Sequence, residues 1–262
     1  MPFWIQHRLT IALVAPLAAF FLIGSVFENF FPYQISGRES EPGINAMRYL
    51  ALVAARVAGM GAIIAAFSPI YIQSFPLRAG RELEPAFESS PTHWPDYWGV
   101  ITGVIGAAIW ISVCHLQIET TVLSWVGLAG DALGQRDAAN PFLLYREPEM
   151  LGGFLFVRFA LLVVAVPIAE ELFLRGFLMR AVDSQDWQSM PLTKIGSSGL
   201  MAGTVYGVAA HPNEAVAAAI WFSLVTVMMV KTGKFWNCVL AHSITNLILG
   251  VYVCQTENWH LW

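Results

Sequence analysis

Apolar residues fall along this chain in long blocks, and a helix that crosses a bilayer needs roughly 20 mostly apolar residues. Seven blocks meet that length, at about 8–27, 48–73, 98–118, 152–182, 196–212, 214–230 and 235–254. The first carries Arg8 at its start, as a signal peptide would, but its apolar run exceeds the 7–15 residues of such a segment and reads as a span. Polar stretches rich in Pro and Gly separate the blocks at 29–45, 75–95 and 117–148, and are expected to be loops. Within the last, Val122 to Leu133 has the character of a short helix lying along the interface. Trp94, Tyr97, Trp98, Trp259 and Trp262 sit near the proposed span ends, where amphipathic rings favour the headgroup level. The pattern predicts an all-α polytopic transmembrane helix bundle of seven spans, eight at most, forming one integral membrane domain over 1–262.

Composition agrees with that pattern. The chain has 262 residues, 56% of them hydrophobic and 12% charged, against roughly 25% charged in ordinary soluble proteins. Fourteen Lys and Arg against eighteen Asp and Glu give a net charge of −4, so there is no basic surplus for nucleic acid. Cys114, Cys238 and Cys254 are odd in number, lie in apolar stretches, and form no metal-type spacing. In a seven-span arrangement one side collects Arg8, Arg78, Arg81, Arg180, Lys194, Lys231 and Lys234. The other side collects Arg38, Arg48, Arg136 and Arg146. The amino terminus is therefore expected to be cytoplasmic.

An ionisable group at the centre of a span costs about 2.5–3.5 kcal/mol on insertion scales, so each needs a reason to be there. Arg56 and Arg158 are single cations, expected to pair with carboxylates on neighbouring helices and hold the bundle together. Glu170-Glu171-Leu172-Phe173-Leu174-Arg175 is different, because two adjacent carboxylates cannot both face lipid. Successive helical residues turn by about 100°, and Glu171 with Arg175 forms an i, i+4 pair in the favourable orientation. Glu170 then points elsewhere, in a low-dielectric setting suited to a general base. In the last block His242 and Asn246 share a helix face, and His211 adds a second imidazole.

Glu, His, His and Asn together can hydrolyse an amide. Glu170 with His211 would activate water, and His242 with Asn246 would donate to the oxyanion. The chain has no Gly-x-Ser-x-Gly elbow, no His-Glu-x-x-His and no phosphate-binding Gly-x-x-x-x-Gly-Lys. A zinc site from Glu170, His211 and His242 is a second reading within the enzyme class; no other cofactor is implied. Outside that class, the cluster could relay protons in a transporter, or survive in a non-catalytic scaffold or immunity protein. No matching interrupted helix in the other half suggests a transporter repeat.

Glu170-Glu171-x-x-x-Arg175, then His211 closing an apolar block, then His242-x-x-x-Asn246, resembles the family of CAAX-processing and bacteriocin-processing (CPBP, Abi) intramembrane endopeptidases, over residues 152–254. The resemblance implies a membrane-embedded, glutamate-dependent protease with Glu170 and His211 activating water, His242 and Asn246 forming the oxyanion site, and Glu171 and Arg175 in support. It places the catalytic core at 152–254 within the single domain. The family's aromatic residue four before the first His is Gly207 here, with Tyr206 one place earlier, so packing around His211 is expected to differ. The tail from Leu249 to Trp262 resembles the CAAX-protease-related branch found with exosortase protein-sorting systems. That implies a bacterial inner-membrane location and, as substrate, a membrane or secreted protein of a Gram-negative bacterium rather than a prenylated one.

Overall fold

The protein is described here by a computed structural model covering residues 7–32, 42–77, 93–125, 127 and 140–261. Arg38, Arg78, Arg81, Arg136, Trp262 and the proposed interfacial stretch beyond Trp125, apart from Gly127, lie outside the described residues. All regular structure among the described residues is helical. In chain order the helices are α1 (Arg8–Phe30), α2 (Pro42–Ser74), α3 (Tyr97–His115), α4 (Ile118–Trp125), the single turn α5 (Pro141–Leu144), α6 (Pro148–Asp183), α7 (Ser197–Ala210), α8 (Ala215–Thr232) and α9 (Phe235–Thr256).

Six of these segments are long and apolar enough to cross a membrane: α1, α2, α3 with α4, α6, α8 with its preceding turn, and α9. The block at 196–212 differs from its prediction. Its helix α7 has 14 residues, about 21 Å at 1.5 Å per residue, short of the roughly 30 Å hydrocarbon core. Yet α7 joins the two ends of the bundle. At its start Asp183 accepts the Gly196 amide at 2.7 Å. Beyond its end, Glu119 accepts the Val216 amide at 2.8 Å, from the α3–α4 end of the bundle. The predicted loops are also shorter than expected on the amino-terminal side. The helix α2 begins at Pro42, a residue whose fixed φ suits a first helical position, so Arg48 is helical and its guanidinium donates to the Pro32 carbonyl at 2.7 Å.

Helices in lipid gain little from hydrophobic transfer and associate through close packing and interhelical hydrogen bonds. The contact of α3 with α9 shows both. A Cβ on Gly103 would lie 2.8 Å from the Ala241 carbonyl oxygen, so only glycine lets the backbones approach this closely. There the Thr245 hydroxyl donates to the Gly103 carbonyl at 2.9 Å and accepts from the Trp221 indole at 3.0 Å. One buried cluster joins α1, α6, α8 and α9 through Leu13, Leu172, Phe222, Val225 and Phe235. A second joins α1, α2 and α6 through Leu17, Val53, Met60, Phe154 and Leu161.

Arg56 ties α2 to α1 in a way the sequence did not suggest. Its Nε donates to the Phe20 carbonyl at 3.2 Å and its guanidinium lies 4.0 Å from the centre of the Phe20 ring. At the opposite end of the bundle from α4, Asp96 caps α3 by accepting the Trp98 amide at 3.0 Å, and pairs with Lys234 at 2.8 Å. Partial burial alone would raise the Asp96 carboxyl, but the bonds from Lys234, Asn237 and Trp98 outweigh it and hold it below the usual carboxylate range. His93 next to it accepts the Phe235 amide at Nδ1, and burial, then the Arg180 charge, push its pKa down.

Candidate active site

The site is built on a defect in α6. Pro167 has no N–H to donate, and around it the helix widens into a π turn at Leu161–Ala165, where Val166 donates back to Leu161. In that five-residue spacing the Leu162 carbonyl would be the partner of residue 167. Proline leaves it open, and Asn246 of α9 fills the gap, its Nδ2 donating to Leu162 O at 2.8 Å. A second π turn spans Leu172–Leu178. Glu170 and Glu171 lie on the short α-helical piece between the two, and such bulges are frequent at functional sites.

The two carboxylates then part. Glu171 and Arg175 are both fully inaccessible and form an ion pair, as the i, i+4 spacing predicts. Arg175 also reaches the Phe222 carbonyl at 3.4 Å. The other Glu171 oxygen meets His242 Nδ1 at 3.0 Å. A carboxylate held by arginine is an acceptor only, so Nδ1 carries a hydrogen and Nε2 is the free face of the ring. That face points to Glu170, whose Oε2 lies 3.8 Å away.

Glu170 is 7% exposed, and its exposed side opens on a cavity of about 370 Å³ whose wall also includes His211, His242 and Asn246. All four side chains proposed for chemistry thus share one cavity, while Glu171 and Arg175 stand behind them. His211 arrives from the end of α7, edge-on to Trp110 with ring centres 5.2 Å apart. His242 is oriented by Glu171 at Nδ1, and its Nε2 faces Glu170. One Asn246 N–H is committed to Leu162, leaving the second for a ligand.

Three wall residues were not singled out for chemistry from the sequence. Tyr206 lines the same cavity as Glu170. Trp221 packs 4.8 Å from His242, ring centre to ring centre. Arg158, expected to be a structural cation, also lines the cavity. Tyr206 was partly visible as the displaced aromatic before His211. The structure explains the displacement, since a Cβ on Gly207 would collide with the Phe222 ring, and glycine there lets Phe222 pack against α7 while Tyr206 lines the cavity. Among the described residues, no group of three His, Cys, Asp or Glu side chains converges closely enough to hold a metal ion.

With this geometry in view, residues 152–248 match the family model described as type II CAAX prenyl endopeptidase Rce1-like. This segment is a CAAX-protease family domain. No curated protein and no solved structure matches the chain. The family is one of peptidases, and with six apolar helices of spanning length the chain is an integral membrane protein. The CAAX-protease segment holds Glu170, Glu171, Arg175, His211, His242 and Asn246, but Leu17, Phe20 and Trp110 from outside it complete the cavity wall.

Proposed function

We propose that this protein is a glutamate-dependent intramembrane endopeptidase that cuts a membrane or secreted protein of a bacterium, working in the inner membrane with its amino terminus in the cytoplasm. The catalytic core is the segment 152–254. Glu170 takes a proton from a water held in the cavity beside His211, and that water's oxygen attacks the scissile carbonyl carbon. The developing oxyanion is met by the second N–H of Asn246 and by His242 Nε2. Donation from Nε2 requires a hydrogen there as well as on Nδ1; Glu171 faces Nδ1 at 3.0 Å and Glu170 faces Nε2 at 3.8 Å. The proton on Glu170 then passes to the leaving amine as the C–N bond breaks. Glu171 and Arg175 are positioning residues that orient the His242 ring.

The observation that carries this reading is the separation of the two adjacent glutamates. One is neutralised in a buried ion pair and the other is presented to a cavity with two imidazoles and a carboxamide. The reading needs no metal.

The test is complementation in the host. The gene is deleted, membrane and secreted proteins with altered termini are recorded, and wild type, Glu170→Gln and Glu170→Ala are returned at matched levels. Loss of processing by about 10²–10⁴-fold in both variants is expected, with unchanged melting in detergent. Full processing by both variants would make the buried carboxylate structural and the protein a scaffold. Loss of wild-type activity to a chelator, restored by zinc, would favour a zinc-dependent variant of the protease.

A further inference from the structure

His211 sits at the junction of two helices, and part of what holds that junction comes from a distant stretch of the chain. His211 closes α7 with a non-helical backbone (φ −131°, ψ 62°). A short turn, Pro212–Glu214, follows it, and α8 starts at Ala215. The Glu214 amide donates to the His211 carbonyl at 3.1 Å, so the placement of His211 follows that of the turn. The first amides of a helix have no intrahelical acceptor and are costly to leave open within a bilayer. Glu214 stands in the capping position of α8, but its side chain does not cap the first turn. The acceptor is supplied from α4 instead. Glu119 Oε1 takes the Val216 amide at 2.8 Å, with its carboxylate at the positive end of the α8 dipole.

The placement of Glu119 is itself built by the break between α3 and α4. Gln117 has a φ of 46°, in the left-handed region that residues other than glycine seldom enter. Its carbonyl accepts the Thr121 amide at 3.1 Å and the hydroxyls of Thr120 and Thr121 at 2.8 and 3.0 Å. Backbone in this region persists where surrounding contacts fix it. No residue of α4 is buried, so packing does not place this helix, and the Glu119 bond joins it to the start of α8. Trp110, from α3, meets the His211 ring edge-on. The unit α3–α4 thus touches both the imidazole and the helix start behind it, although it lies outside the family-matched segment 152–248.

We propose that Glu119 is a positioning residue for His211: it anchors the first turn of α8 and so fixes the turn that presents the imidazole to the cavity. The inference rests on the endopeptidase reading for what His211 does, and not for how it is held. It makes the segment 152–248 an incomplete frame for its own histidine. It also makes processing depend on a carboxylate from a helix at the edge of the bundle.

The test uses full-length protein in detergent with its histidines isotope-labelled at Cε1 for nuclear magnetic resonance. The chain has six histidines, and the signals of His211 and His242 are assigned by their loss in His211→Gln and His242→Gln. Glu119→Ala is expected to shift the His211 signal and to leave that of His242, which Glu171 holds, in place. Glu119→Gln keeps an oxygen that can accept the Val216 amide and should keep the wild-type His211 signal. Glu119→Asp is one methylene shorter and should shift it as alanine does, which keeps the test decisive where Glu119→Ala fails to fold. In the host, processing should fall by about 10–10²-fold in Glu119→Ala and Glu119→Asp, as for a displaced catalytic group, and stay near wild type in Glu119→Gln. A His211 signal that ignores Glu119→Ala and Glu119→Asp, or that Glu119→Gln displaces as far as they do, overturns the proposal. So does wild-type processing by Glu119→Ala, or an equal shift of the His242 signal, which marks a general loss of structure. If Glu170→Gln is fully active in the host while the His211 signal follows Glu119 in this way, the endopeptidase reading fails and the hold on His211 stands. If processing requires Glu170 and the His211 signal ignores Glu119, the reverse holds.

Discussion

The amino-terminal hairpin α1–α2 holds a part-buried arginine and the core around α6 a fully buried one, and they are used differently. Arg56 bonds the Phe20 carbonyl and covers the Phe20 ring, joining two helices. Arg175 neutralises Glu171, which in turn holds His242. Each region also sets aside a glycine for the purpose. A Cβ on Gly24 would occupy the position of the Arg56 guanidinium, and one on Gly207 would occupy that of the Phe222 ring. Among the contacts described, one cation meets a carbonyl and a ring that join two helices, and the other meets a carboxylate that in turn holds a histidine.

The sharpest way to break this comparison is to remove both cations. Arg175→Met leaves Glu171 as an uncompensated buried charge and should cost about 3–5 kcal/mol, measured by thermal unfolding in detergent. Arg56→Met loses a cation–π contact and one bond to a carbonyl and should cost about 1–2 kcal/mol. Equal losses would mean that the two arginines do the same work. Gly207→Ala and Gly24→Ala sharpen the contrast, because overpacking at either should cost about 1–3 kcal/mol. Only Gly207→Ala should also reduce proteolysis, since Phe222 would press on Tyr206 and on the Glu170 wall. If Gly24→Ala impairs processing as strongly at matched folded amount, the two regions are coupled more tightly than the contacts indicate.

The smallest effect belongs to the end of the bundle. Asp96 has a folded pKa below its ordinary value of 3.8, so its contribution to stability is fully present above that value. It is lost as the pH falls through the folded pKa. Asp96→Asn should flatten the acid limb of the unfolding profile below about pH 4 and leave neutral-pH activity unchanged. An unchanged acid limb would show that the Lys234 and Asn237 contacts contribute nothing measurable.

Much of the fold was legible because the bilayer imposes it. Runs of about 20 apolar residues have few alternatives to helix, and the Glu171–Arg175 pair follows from a helical repeat within one segment. The shortness of α7 was less legible, because only His211 to Glu214 separate its apolar run from that of α8. That Arg158 lines the cavity was hidden for a different reason. A lone cation in a span looks the same in sequence whether it faces a neighbouring helix or a cavity.

By itself the sequence determined the all-helical membrane architecture, the identity of the chemical groups, and which glutamate is paired, since all of these depend on composition or on spacing along a single helix. Only the tertiary structure decided that Glu170, His211, His242 and Asn246 share one cavity. It also decided that Asn246 satisfies the carbonyl opened by Pro167, and that His242 is aimed at Glu170 through Glu171. Those relations join residues up to 84 positions apart, and they are fixed by the antiparallel register of α6 and α9, which no periodicity within either helix encodes.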